Sequence, residues 1–561
     1  MKLRLGPMLP VSVLAATLPA ASHPVRARTG IVASQNFIAS HVGMDVLMDG
    51  GNAMDAAVAT AFALAVTHPA AGNIGGGGFL VYRRATGEAV AYDFRETAPA
   101  GASSTMFLEA GKYDADRHHH RYLSVGVPGT VAGLHMAWKE QGKLPWERLL
   151  EPAIFLAREG FMVTDGLARS LRQVLPEMKA YPASVAQFSR AGTPYEPGDL
   201  LRQGDLARTL ERIADRGREG FYEGETARLI EREMQAHDGL ITQADLKAYT
   251  PRRREVLRGT YRGYEVLTVP PASSGGACLL EMLNVLEGYD LAAKGFGSAA
   301  TVHLITEVMR RAFADRARYL GDPEFNPGMP IARLISKEYA TALRRTIRAD
   351  RASTSSPLSF EWPAQSTQTT HFSVVDADRN AVALTYTLED AYGVKAVVPG
   401  AGFLLNNEMG DFNAGPGLTN AEGLIGTAPN LAAPGKRMLS NMTPTILAKD
   451  GKVFMVIGSP GGRTIINTVL VTTLNVVDFG MNIQEAIDAP RFHHQWLPDV
   501  IRYERYGLSP DTLALLTRMG HAAKESERPQ GAAQGIVYDA KEDLLEGGAD
   551  HRAPDSAAIG R

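Results

Sequence analysis

The chain has 561 residues, 45% of them hydrophobic, and its 58 Lys and Arg stand against 61 Asp and Glu for a formal net charge of -3. That near-balance leaves no electrostatic footprint for nucleic acid or an anionic membrane, while the apolar fraction suffices for a sizeable core. A single cysteine, Cys278, excludes an intrachain disulfide and reads as a small buried hydrophobe.

Lys2 and Arg4 precede a proline-interrupted apolar run that closes on Ala20, Ala21 and Ser22. Too short and broken to cross a bilayer, it predicts a cleaved signal peptide over residues 1–21 and a soluble, exported mature chain, in a bacterial periplasm or medium. After Gly50-Gly51-Asn52, the Ala-rich stretch from Ala53 to Val66 predicts a buried helix stopped before Pro69. The glycine run Gly75 to Gly78 has neither GxGxxG spacing nor a GKS or GKT ending, so it predicts close backbone packing and not a phosphate loop. Arg95, in AYDFRETAP, offers a guanidinium fork suited to a carboxylate; a solvated surface arginine is the other reading. His118-His119-His120 lies in a polar, turn-like segment with no HExxH or Cys partner and reads as a surface loop. Asp205 to Arg216 and Glu225 to Gln235 read as charged helices with solvated faces.

Arg351 to Gln368 is a polar Ser/Thr/Gln/Pro run with no helix or strand period, the composition of an exposed linker. It leads into Thr369-Thr370 and a strand-forming run to Val375, a turn at Asp376 to Asn380, and a second strand from Ala381 to Thr387. If Asp376 faces Ala381, Thr387 falls opposite Thr370, to within about one position, and next to Thr369. A chain cut at Gln368-Thr369 would free a threonine carrying both a hydroxyl nucleophile and its own base, an α-amino group titrating near pH 8. An ordinary edge hairpin with a Thr-rich face is the alternative.

Further on, Lys452 to Ile457 reads as a strand, and Ile465, Ile466, Val469, Leu470, Leu474 and Val477 mark a helix starting near Arg463. Gly461-Gly462 therefore sit at a strand-to-helix turn, which suits an oxyanion and suits plain turn geometry equally. His493 and His494, being adjacent, face opposite ways on a strand and cannot easily share a metal ion. Ser509-Pro510-Asp511 opens a helix that Gly520 ends.

QTTHFSVVDADRNAVALTYTLEDAYG resembles the start of the small subunit of the gamma-glutamyltranspeptidases, in the N-terminal-nucleophile hydrolase superfamily. Matching blocks follow the family order across nearly the whole mature chain: GGNAMDAAVATAFALAVTHPAAGNIGGGGF (50–79), YDFRETAP (92–99), SVGVPGT (124–130), PPASSGG (270–276), FLLNNEMGDF (403–412), KRMLSNMTPTI (436–446), GSPGGRTIINTVL (458–470) and APRFHHQWLPD (489–499). The resemblance implies an α/β fold, a four-layer αββα sandwich built jointly by a large subunit (22–368) and a small one (369–561) that stay together as a heterodimer. It implies autocleavage between Gln368 and Thr369, with Thr369 as nucleophile, Thr387 hydrogen-bonded to it, and Gly461 and Gly462 as oxyanion hole. Arg95 and Ser440 match groups that hold the glutamyl α-carboxylate, and Glu408 and Asp411 match those that hold its α-ammonium. Donors would be glutathione and related γ-glutamyl compounds, acceptors water, amino acids or peptides, and neither cofactor nor metal is called for.

Three positions depart from the best-known bacterial pattern: Glu389 stands where many members have Asn, Glu408 where some have Gln, and Asn441 follows Ser440 where a second Ser is frequent. All three belong to the substrate-binding set. In the lid-length segment 413–434, Glu422 takes the place of the usual aromatic. A cephalosporin (glutaryl) acylase of the same superfamily and an uncleaved scaffold protein are the competing readings.

Overall fold

The computed structural model describes residues 23–355, 369–418 and 426–561. The expected signal peptide, most of the linker with Gln368, and Glu422 lie outside these residues.

Two seven-stranded antiparallel sheets organise the chain. The first runs Ala557–Gly560, Ile31–Ser34, Thr370–Val375, Ala381–Thr387, Gly77–Arg83, Ala89–Asp93, Arg252–Arg254. The second runs Val25–Ala27, Leu544–Ala549, Gln534–Asp539, Lys452–Gly458, Thr445–Lys449, Tyr264–Thr268, Leu257–Tyr261. Both strands of the predicted hairpin are interior to the first sheet and buried along their whole length, which is why they read as β-branched and apolar runs.

Among the described residues the apolar core falls into four clusters, three of them built on the two sheets. Val375, Ala381 and Ala383 of the first sheet pack with Ile446, Val456 and Ile536 of the second. Phe372, Val374, Val382, Leu384 and Tyr386, on the opposite face of the hairpin, pack with Ala53–Thr67 and neighbouring helices. On the second sheet, Val266, Leu447, Met455 and Ile457 pack with Gly275–Leu286, Ala299–Tyr319 and Thr464–Val477.

Local signals translate directly. All of Ala53–Thr67 is buried, and Asn52 and Asp55 form the reciprocal hydrogen bonds that cap its start. The charged stretches are helices Gly204–Arg216 and Gly224–Ala236, and Ser509 caps Pro510–Arg518. Cys278 is buried. Among the described residues no helix is long and apolar enough to cross a membrane.

Two expectations change. Val375, not Asp376, faces Ala381, so Thr370 pairs with Tyr386 and the hairpin register shifts by one residue. The Asp376 side chain accepts from Asn380 N at 2.9 Å and its backbone N–H donates to Asn380 O, so Asp376 belongs to the turn. The His triplet is not a surface loop throughout, because His118 is buried and only His120 is fully exposed.

Candidate active site

The corrected register brings Thr387 level with Thr369. Thr369 Oγ1 donates to Thr387 Oγ1 at 3.3 Å, and the Glu389 N–H donates to the same Thr387 oxygen at 2.9 Å. The glycine run holds this corner. A Cβ on Gly76 would stand 2.0 Å from the Thr387 carbonyl oxygen, and Asn73 Nδ2 donates to that carbonyl at 2.9 Å. Only a residue without a side chain permits so close an approach. One residue beyond Thr370, His371 is buried, its ring nitrogens 2.8 Å from Thr385 Oγ1 and 3.1 Å from Ser373 Oγ. Burial lowers its pKa to about 3, so the imidazole is neutral and serves the sheet's polar interior.

Arg95, following strand Ala89–Asp93, is fully buried. Its guanidinium pairs through Nη1 with Glu408 and through Nη2 with Asp411, while Nε donates to the Met438 carbonyl at 3.3 Å. Both carboxylates come from the short 3-10 turn Glu408–Asp411. Burial works against its charge, but the Glu408, Asp411 and Glu96 carboxylates outweigh burial and raise its pKa above the ordinary arginine value. The Glu408 pKa is raised too, well above the carboxylate range, because burial outweighs Arg95 and because Glu96, Asp411 and Glu389 crowd it.

Gly461 and Gly462 lie between strand Lys452–Gly458 and helix Thr464–Val477, with φ of 132° and 55°. Both values fall in the region that favours glycine, and the Ile465 N–H already bonds the Gly462 carbonyl at 3.1 Å. Ser440 is fixed by its backbone: its N–H donates to Ala272 O at 3.0 Å and its carbonyl accepts from Ser274 N at 2.9 Å, so the PPASSGG block is its support. Its Oγ accepts from Met442 N at 3.0 Å.

One small cavity collects nearly the entire predicted set: Arg95, Thr369, Thr387, Glu389, Glu408, Asp411, Ser440, Asn441 and Gly462 all line it. Gly461 lines a different, larger cavity of about 310 Å³. Sequence reasoning placed His119 in a surface loop and did not pick out Glu96 or Arg463. Glu96 Oε2 lies 3.6 Å from Arg95 Nη1, and burial, opposed by Arg95, pushes its pKa up to about 8. Arg463 follows the glycine pair, and burial, helped by Arg316, lowers its pKa to about 9. Each adjoins a residue that was singled out, and a charge inside an apolar or glycine-rich block was the available signal.

A model of the gamma-glutamyltranspeptidase family matches residues 39–560. The chain belongs to that family. It is 47% identical over 545 residues to the glutathione hydrolase proenzyme of Escherichia coli (strain K12), covering 96% of this chain and 93% of that relative. Among solved structures, the cephalosporin acylase from Bacillus halodurans superposes with a TM-score of 0.84 at 29% identity, covering 99% of both chains. The gamma-glutamyltranspeptidase of Helicobacter pylori superposes with a TM-score of 0.56 at 44% identity, covering 56% of this chain and 91% of that one. Membership in the gamma-glutamyltranspeptidase family carries an α/β fold and N-terminal-nucleophile hydrolase chemistry.

Proposed function

We propose that this chain is a self-processing gamma-glutamyltransferase and glutathione hydrolase. The observation that carries the reading is the cavity itself, where a buried guanidinium and three carboxylates share walls with a threonine pair and a glycine turn. An amino-acid head group, carboxylate and ammonium together, needs both signs at one end of such a site, and its γ-carbonyl needs a nucleophile at the other.

In the first stage the Thr369 hydroxyl adds to the Gln368 carbonyl carbon, the Gln368–Thr369 C–N bond breaks, and the acyl group rests on Oγ as an ester with the amine free. Water cleaves the ester, leaving a Gln368 carboxylate and Thr369 as a new N-terminus. In the second stage the α-amino group of Thr369 takes the hydroxyl proton while Oγ attacks the γ-carbonyl of the donor. Backbone N–H groups of Gly461 and Gly462 face the oxyanion, and Thr387 holds the nucleophile's oxygen. The intermediate collapses with loss of the amine, which takes a proton, and water or an acceptor amine resolves the γ-glutamyl ester. Arg95 and Ser440 hold the donor carboxylate, Glu408, Asp411 and Glu389 its ammonium, and Asn441 lies beside Ser440.

The reading divides the chain into a signal peptide of residues 1–21, removed on export to the periplasm or medium, and subunits 22–368 and 369–561 that remain a heterodimer. Strands from both segments contribute to each sheet, and the core clusters between the sheets and on their outer faces support an αββα sandwich of four layers. The close superposition on a cephalosporin acylase favours a second reading, a glutaryl donor. Glu408 and Asp411 already face Arg95, but with Glu389 the cavity wall carries more carboxylates than its guanidinium balances, and a donor ammonium would complete the balance, which argues for the γ-glutamyl donor. The test compares the processed enzyme on glutathione and on a glutaryl amide. We expect kcat/KM to favour glutathione on the order of 10²-fold or more; a preference for the glutaryl amide contradicts the assignment.

A further inference from the structure

His118 and His119 end a short helical turn, Ala115–His119, capped by Asp114 and packed on the Glu408–Asp411 turn. His118 is the anchor. Its ring lies 4.1 Å from that of Phe107 and 4.2 Å from that of His119, and its Nδ1 is 3.1 Å from the Tyr113 hydroxyl. The His119 ring packs against it, and its Nδ1 lies 3.5 Å from Oε1 of the cavity residue Glu389, with side-chain exposures of 14% and 5%. Two further contacts fix it. Its carbonyl accepts from Asn407 Nδ2 at 3.0 Å, and a Cβ on Gly410 would stand 2.5 Å from its Nδ1, so glycine is what allows the ring this place.

Glu389 is held unusually. Its φ of 77° is in the left-handed region, a strained place for a non-glycine residue that persists only where surrounding contacts hold it. Its carboxylate joins Glu408 and Asp411 on the cavity wall, but those two pair directly with Arg95. The nearby Lys395 lies 3.8 Å from Asp390 and 3.9 Å from Glu177. His119 Nδ1 stands at ion-pair distance from Glu389 Oε1 when the ring carries its second proton.

We propose that His119 is a positioning residue for donor specificity: through Glu389 Oε1 it aims a carboxylate oxygen at the α-ammonium of the γ-glutamyl donor. The assignment rests on the γ-glutamyl reading above. Burial lowers the His119 pKa, Asp390 and Asp411 raise it in part, and Lys395 lowers it further. Burial, with Asp390 and Asp411, raises that of Glu389, against Lys395 and Arg95. An arriving ammonium supplies the charge that favours the ionised Glu389.

The test is steady-state kinetics of processed enzyme on glutathione and on a glutaryl amide, which lacks the ammonium. His119→Ala is expected to raise KM for glutathione about tenfold with kcat within twofold and KM for the glutaryl amide unchanged, a loss of about 1.4 kcal/mol. His119→Asn, whose amide nitrogen can stand where Nδ1 does, should restore most of the affinity. In a Glu389→Asn background, His119→Ala should change KM no further. An unchanged KM, an equal change for both donors, a fall confined to kcat, or a full tenfold effect in the Glu389→Asn background would each overturn the proposal. If His119→Ala does not process, the His119→Asn and Glu389→Asn single and double variants decide it by the same criteria. Absence of glutathione hydrolysis in the unsubstituted enzyme would instead sink the γ-glutamyl reading.

Discussion

Thr369 Oγ1 stands 3.3 Å from Thr387 Oγ1, and both side chains line the cavity into which Arg95 is buried. The proposed nucleophile, its hydrogen-bond partner and the proposed carboxylate-binding fork thus converge in one cavity. Thr387 is the hinge of this arrangement, because its hydroxyl takes the Thr369 hydroxyl and the Glu389 N–H while its carbonyl is clamped by Asn73 and packed by Gly76.

Thr387→Ala should lower kcat about 10- to 100-fold, the effect of leaving a buried N–H and a hydroxyl without their acceptor at about 1–3 kcal/mol. Thr387→Ser keeps the oxygen and should stay within a few-fold of the unsubstituted enzyme. Glutamate release from glutathione measures both.

Gly462→Ala forces φ of 55° on a residue with a side chain beside the nucleophile and should cost kcat about 10²-fold or more with little change in KM. Gly480→Ala is the control. Its φ is 68° and a Cβ there meets nothing within 4 Å, so it should lower Tm slightly and leave kcat alone. Equal kinetic effects at the two sites would remove Gly462 from the oxyanion hole.

Acid should slow the processed enzyme through the Thr369 α-amino group, which titrates at about 7.7–8.0 when unperturbed. Below that range protonation removes the base, and kcat/KM should fall about tenfold per pH unit. A flat profile across the titration would count against the assigned base.

Glu307 gives a second, structural dependence on pH. Its carboxylate accepts from Ser353 N at 3.0 Å and Arg311 Nη1 at 2.8 Å, fastening the chain as it approaches the linker. Burial opposes its charge, but the Ser353 hydrogen bond with Arg310 and Arg311 prevails and holds its pKa at about 2 against an ordinary 4.5. A pKa depressed by folding adds stability that is complete above about 4.5 and is lost as pH falls through about 2. Glu307→Gln should therefore lower Tm at pH 7, and the gap to the unsubstituted protein should close on acidification. Differential scanning calorimetry from pH 7 to 2 measures it.

The local features were legible because local chemistry decides them. The Asn52 cap, the buried Ala-rich helix, the Ser509 cap and the packing role of Gly75 to Gly78 follow from residue types within a few positions of one another. The hairpin register was missed by one because the Asp376 side chain draws that residue into the turn, a choice that alternation alone does not decide. The pairing of Arg95 with Glu408 and Asp411 spans more than 300 residues and was accessible only as a family likeness, which placed the three groups in one site without predicting their direct contact. His119 was unreadable for the same reason: its burial against Glu389 is created by the Phe107, Tyr113 and Gly410 surroundings, not by the triplet.

The most direct test of the account is denaturing electrophoresis of the purified protein with N-terminal sequencing of the smaller band, beside a Thr369→Ala variant. Two bands, the smaller beginning Thr369-Thr370-His371, with a single uncut chain in the variant, is the predicted result. An unsubstituted chain that stays whole, or a variant that is still cut at the same bond, would contradict the assignment of Thr369 as the self-processing nucleophile.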